Sequence, residues 1–204
     1  MPKTNREQHA QLLMTFDRPW RIRGVVAGMD EAGRGPLAGS VVAACVVMPE
    51  TPVISWVDDS KKLSEFRREK VYEEIKAQAL FIGIGKVSPA EIDRINILEA
   101  TRQAMRQAAG QIPADFFLID AVSGLGLKGE EIPVIKGDAQ SYSIAAASII
   151  AKVTRDREMR LLDARFPEFG FAKNKGYGTA EHIAALKRYG PCPEHRRTFI
   201  GHFV

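Results

Sequence analysis

The chain has 204 residues, 45% of them apolar and 26% charged, a composition that fits a folded globular domain and excludes a disordered or collagen-like one. Lys and Arg total 29 against 25 Asp and Glu, for a net charge of +4, which permits a nucleic-acid partner without requiring one. No run approaches the ~18 consecutive apolar residues of a membrane span, the first residues lack the apolar core of a secretory signal, and Cys45 and Cys192 form no CxxC pair, so a cytoplasmic protein without membrane, disulfide or zinc site is expected.

Residues 1–20 are polar apart from positions such as Leu12, Leu13, Phe16 and Trp20, and predict a short helix packed on the domain or a loose leader. A first strand over Gly24–Asp30 is followed by a loop with glycines at 33, 35 and 39, a lone Arg34 and Pro36. Ser40–Met48 reads as a second, buried strand, antiparallel to the first. Ser64 is the N-cap of a helix with Phe66, Val71, Ile75 and Ala79 on or near its apolar face. Phe81–Val87 alternates as a third strand. The capping box Ser88-Pro89-Ala90-Glu91 starts a helix, and Asn96-Ile97-Leu98-Glu99 repeats the signal, predicting a kink or restart before the end near Gly110.

Phe116–Asp120 predicts a central strand closed by an acid, and Ile132–Ile135 a further strand leading into Lys136-Gly137-Asp138. A long helix from about Ser143 carries Ala145, Ala146, Ala147, Ser148 and Ala151, small enough for close packing on a sheet, before turning charged at Arg155, Asp156 and Arg157, read as a salt-bridge cluster. A loop around Tyr177, a last helix capped by Thr179 and a short basic tail over 190–204 complete a single domain spanning 1–204. Antiparallel strands first and strand–helix alternation later predict a mixed α/β sheet flanked by helices.

Asp30-Glu31, Asp120 and Asp138 all follow apolar runs. Strand C-terminal ends gather at one edge of an α/β sheet, where sites form. Four carboxylates meeting there repel unless they share cations, and oxygen-only ligands suit Mg²⁺ or Mn²⁺, two ions together being suited to phosphodiester hydrolysis. Taken singly, each acid is as well explained as a turn or cap residue. The glycine loop is no Walker A motif, which needs a Gly-Lys-Ser/Thr ending, and its spacing misses the dinucleotide fingerprint. His182, His195 and His202 are not spaced as a metal site, and His195-Arg196-Arg197 either faces nucleic acid or caps the fold.

Six blocks in order, DEAGRGPLAG at 30–39, DSKKLS at 59–64, FFLID at 116–120, KGDAQSYSIAAASIIAKVTRDR at 136–157, NKGYGT at 174–179 and HRRTF at 195–199, resemble ribonuclease HII, the type 2 ribonuclease H. The resemblance implies a ribonuclease H-like sheet and a metal-dependent endonuclease acting on RNA–DNA hybrids and on single ribonucleotides in duplex DNA, cut on the 5′ side to leave 3′-hydroxyl and 5′-phosphate ends. It implies Asp30, Glu31, Asp120 and Asp138 as catalytic metal ligands for Mg²⁺ or Mn²⁺, with two ions in the active complex. It further implies Gly33, Arg34 and Gly35 as the motif that meets the ribose 2′-hydroxyl, Tyr177 as the residue packing on the RNA–DNA junction, and Lys61 and Lys62 as phosphate contacts. Two departures accompany it: Ala121 stands directly after Asp120, where many relatives have glycine, and the chain ends soon after HRRTF. A monomer is expected. The rival readings are another two-metal nuclease of the same sheet class, a hybrid-binding protein without catalysis, and a Mg²⁺-dependent nucleotide-binding protein. The first lacks a reason for the glycine loop plus Tyr177, the second for the four acids, and the third for the absence of a nucleotide fingerprint.

Overall fold

The β-branched and alanine run at 41–47 is buried along its whole length, and the sheet is built around it and its neighbour. The computed structural model describes residues 3–110 and 112–204. Strands β1 (Val26–Ala32), β2 (Val41–Val47) and β3 (Phe81–Val87) pair antiparallel. Strands β4 (Phe116–Asp120) and β5 (Glu130–Val134) add parallel on the other side of β1, giving the order β3-β2-β1-β4-β5. Pro133 lies in β5, an edge strand, where a missing ladder donor is tolerated.

Alternation along β2 divides the core. Ala44 and Val46 pack with α1 (Lys3–Arg21), α2 (Glu65–Gln78) and α5 (Tyr142–Arg165). Ala43, Cys45 and Val47 pack with α3 (Pro89–Ile95) and α4 (Ile97–Ala109) on the opposite face. The small residues of α5 do bring it close to the sheet: a Cβ on Gly28 of β1 would lie 2.0 Å from the Ser143 backbone. The predicted caps form at Ser64, Ser88, Asn96 and Thr179. Asn96, at φ 70, ends α3 and caps α4, which is the expected restart.

Four expectations are corrected. β1 runs to Ala32, so Asp30 and Glu31 lie inside the strand rather than at or beyond its end, because pairing with β2 continues to Ala32↔Val42. β5 begins at Glu130 and ends at Val134, since its register is set by β4. Phe66 is 68% exposed; α2 turns Val71, Tyr72 and Ile75 inward, and Phe66 instead carries Lys70 over its ring. The 190–204 segment is more than a basic tail. It contains α8 (Arg197–Ile200), packed with α7 (Ala180–Tyr189) and with Leu37, Met159, Phe169 and Phe171 in a further cluster, while His195 and Arg196 are buried. Among the described residues, no helix is long and apolar enough to cross a membrane.

Candidate active site

The parallel register of β1 and β4 sets Gly28 opposite Leu118 and Met29 opposite Ile119, which brings Asp30 and Asp120 side by side at one edge of the sheet. Asp138 arrives from the single turn Gly137–Ala139 just before α5. That turn is tied to β4 by the Gly137 N–H, which donates to Asp120 Oδ1 at 2.7 Å. One carboxylate oxygen from each of Asp30, Asp120 and Asp138 then lies within 4.8 Å of the others. Glu31, next along β1, is largely buried; its Oε1 meets Arg34 Nη1 at 3.5 Å, and its Oε2 has no hydrogen-bond partner.

Burial pushes the Asp30 carboxyl well above the usual range, and the charges of Glu31 and Asp120 push the same way. Burial also raises Glu31, against the pull of Arg34, and raises Asp120 against the Gly137 hydrogen bond. Acids placed where they resist ionisation, one with an orphaned oxygen, fit a hard divalent cation, which takes oxygen donors and offsets their repulsion. Asp30, Asp120 and Asp138 are close enough together that they could hold one, with Glu31 next along β1. Lys61 supplies positive charge at the rim, its Nζ donating to Asp138 at 3.4 Å.

A cavity of about 340 Å³ opens beside the acids, lined by Asp30, Glu31, Gly33, Arg34, Gly35, Lys61 and Tyr177 among others. Gly33 adopts φ 96, a conformation open to glycine and costly for other residues. The N–H groups of Gly33, Arg34 and Gly35 donate to no described residue. Gly35 has space beside the Tyr177 ring, where a Cβ would sit 3.9 Å away. Arg34 braces Glu31 from an exposed position. Asp120 and Asp138 do not line this cavity but adjoin it through their cluster with Asp30, and Lys62 is not brought to it either: its ammonium is 3.2 Å from Asp58, which also meets Arg6 and His9 of α1.

Sequence reasoning missed a further part of the cavity wall. Ser148 and Lys152, one turn apart on α5, line the cavity with Ser60; Ser148 donates to Ser60 Oγ at 2.8 Å, and Lys152 is held by Asp156 at 2.7 Å. Their i, i+4 spacing was the available signal. Arg157 does join a salt-bridge cluster, with Glu69 and Glu73. Arg155 does not: its guanidinium donates to the carbonyls of Ala38, Ser40 and Lys175. Arg196 is likewise internal and caps the fold, donating to the carbonyls of Gly33, Arg34 and Gly39.

The family model for ribonuclease HII matches residues 27–203. A ribonuclease HII of Ruminiclostridium cellulolyticum is 50% identical over 99% of this chain and 81% of its own. That of Caldanaerobacter subterraneus subsp. tengcongensis is 55% identical over 86% of this chain and 73% of its own. Among solved structures, the ribonuclease H2 of Pyrococcus horikoshii OT3 superposes with a TM-score of 0.72 at 32% identity, covering 85% of this chain and 92% of that one. The RNase HII of Archaeoglobus fulgidus, solved in complex with PCNA, gives 0.73 at 29%, covering 84% and 93%. The chain thus belongs to the ribonuclease HII family, with the ribonuclease H-like fold and the endonuclease activity of a ribonuclease H.

Proposed function

We propose that this ribonuclease H cuts RNA in RNA–DNA hybrids and also incises duplex DNA at a single embedded ribonucleotide, on its 5′ side, leaving 3′-hydroxyl and 5′-phosphate ends. The observation that carries this reading is one cavity lined by Asp30 and Glu31, by the loop of N–H groups at Gly33–Gly35 that donate to no described residue, and by Tyr177 beside Gly35, with Asp120 and Asp138 clustered on Asp30. The 2′-hydroxyl is what separates a ribonucleotide from its neighbours, and reading it takes close backbone approach, which the two glycines allow. Tyr177 offers a flat face for the sugar at the junction. Lys61 and Arg34 stand at the rim for the flanking phosphates, whereas Lys62 is engaged by Asp58.

Asp30, Glu31, Asp120 and Asp138 are proposed to hold Mg²⁺ or Mn²⁺, two ions in the active complex. When bound, such ions supply the positive charge that makes water a stronger nucleophile and stabilises the leaving oxygen. In this reading the glycine loop fixes the ribose and the acids lie toward the phosphate 5′ to it. Water adds to phosphorus and gives up a proton, the bond to the upstream O3′ breaks, and a proton passes to that oxygen to leave the 3′-hydroxyl. The protein is proposed to act as a monomer built of one catalytic domain, with the cytoplasm as its home.

The test is incubation with Mg²⁺ or Mn²⁺ and a duplex holding one ribonucleotide. A cut at its 5′ side is expected. No cut, or an equal cut in all-DNA duplex, overturns the reading.

A further inference from the structure

Behind the cavity lie two fully buried guanidinium groups, Arg155 and Arg196, whose hydrogen bonds all go to backbone carbonyls rather than to carboxylates. Buried charge is costly unless paired or fully hydrogen-bonded, so this placement calls for a role. Arg196 donates to Gly33 O at 2.6 Å, Arg34 O at 2.9 Å and Gly39 O at 2.8 and 3.0 Å. With those carbonyls drawn inward, the N–H groups of Gly33, Arg34 and Gly35 are left unused at the cavity wall.

The same segment reaches Tyr177 by a second route. The Cys192 N–H donates to His195 Nδ1 at 3.1 Å, which leaves the proton of His195 on Nε2. That nitrogen meets His182 Nε2 at 3.0 Å, and His182 Nδ1 in turn donates to the Tyr177 carbonyl at 2.8 Å. Backbone bonds close the frame: Leu37 N to Gly176 O at 2.8 Å, Arg196 N to Leu37 O at 2.9 Å and Gly39 N to Glu194 O at 2.9 Å. Arg155 adds a bridge between Ala38 and Lys175.

We propose that Arg196 is a positioning residue for ribose recognition, fixing the glycine loop in its receptive form, and that His195 and His182 extend the same brace to Tyr177. This rests on the reading that the glycine loop and Tyr177 recognise the substrate. Neither arginine nor histidine touches substrate; the brace acts by making loop and tyrosine one preset surface, so that little ordering is left to binding.

Arg196→Lys keeps the charge but loses the planar fork that reaches three carbonyls at once. Steady-state kinetics on a single-ribonucleotide duplex should show KM raised about tenfold with kcat within about threefold, the loss of one or two charge-assisted hydrogen bonds at the loop. An unchanged KM in folded Arg196→Lys overturns the proposal. If that variant does not fold, a histidine pair decides. His182→Asn can keep the bond to the Tyr177 carbonyl, whereas His182→Gln keeps only the reach toward His195. A larger KM increase for Gln than for Asn, at matched unfolding midpoints, supports the brace; equal increases overturn it. Wild-type protein that leaves the single-ribonucleotide duplex uncut refutes the proposed specificity instead, and the same KM comparisons on a continuous hybrid then test the brace by itself.

Discussion

Asp120 does two jobs. Its Oδ1 accepts the Gly137 N–H and so holds the turn that carries Asp138, and its carboxylate joins the acid cluster with Asp30 and Asp138. Asp120→Asn keeps the shape and can keep the Gly137 bond while removing the charge. Cleavage should fall by more than about 100-fold while the unfolding midpoint of the metal-free protein does not fall, a difference that single-turnover assays and thermal melts read directly. The residue after it carries strain. Ala121 sits at φ 49, in the left-handed region, at the position where the family resemblance had marked a missing glycine. Ala121→Gly should therefore raise unfolding stability by about 0.5–1 kcal/mol in urea titrations, the relief of strain exceeding the added chain entropy. The acids were legible in the sequence because three separate places set a carboxylate after an apolar run, and three blocks of the family resemblance contain the same residues. The engagement of Lys62 was not, because Asp58 is shared with Arg6 and His9, whose position depends on how α1 docks.

At the scale of elements, what could be read was what is local. The capping serines, Thr179 and Asn96 act within three residues of themselves, so Asn96 announced the α3–α4 break and the structure places it there. The face of α2 was misread at Phe66 because the buried stripe is chosen by α5 and α1, which the local pattern does not contain. The length of β1 was misread for a similar reason: its last residues are held by β2. The small-residue helix was legible in composition, but its partner was not. That partner is Gly28, above which the Ser143 backbone passes too closely for any side chain. Gly28→Ala has no flexible group to displace and must push α5 off β1, moving Asp138 relative to Asp30. A stability loss of about 3 kcal/mol or more in denaturant titration is expected, larger than for typical overpacking because backbone is the obstacle.

Across the whole molecule, two sets of carboxylates pull stability in opposite directions with pH. Asp30, Glu31 and Asp120 have raised values in the fold, mainly through burial, so ionising them costs the metal-free protein stability. Their favourable contribution is present below the unfolded-state values and is lost as pH rises through the raised folded ones. Asp58, Glu69, Asp93 and Glu131 have lowered values; their contribution is present at neutral pH and is lost as pH falls through those lowered values. Asp93 accepts three hydrogen bonds from Arg197 and Thr198, and Glu131 accepts from Leu125 and Leu127, so part of this second set fixes α8 and the loop before β5. Solvent screens Glu69, whose partners Arg157 and Arg160 are well exposed, so it weighs less than the buried acids. Metal-free protein should accordingly melt higher in mild acid, at about pH 5.5, than at about pH 8, with a fall again in stronger acid. A divalent cation binding the ionised acids of the folded state alone reverses that order: at a concentration about 100 times its dissociation constant it adds about 2.7 kcal/mol, and it does so only where the acids are ionised. Thermal melts across pH with and without Mg²⁺ check this. A melting point for Asp30→Asn that no longer responds to Mg²⁺, and that at about pH 8 exceeds that of the metal-free wild type, would assign the pH response to the acid cluster rather than to the surface carboxylates.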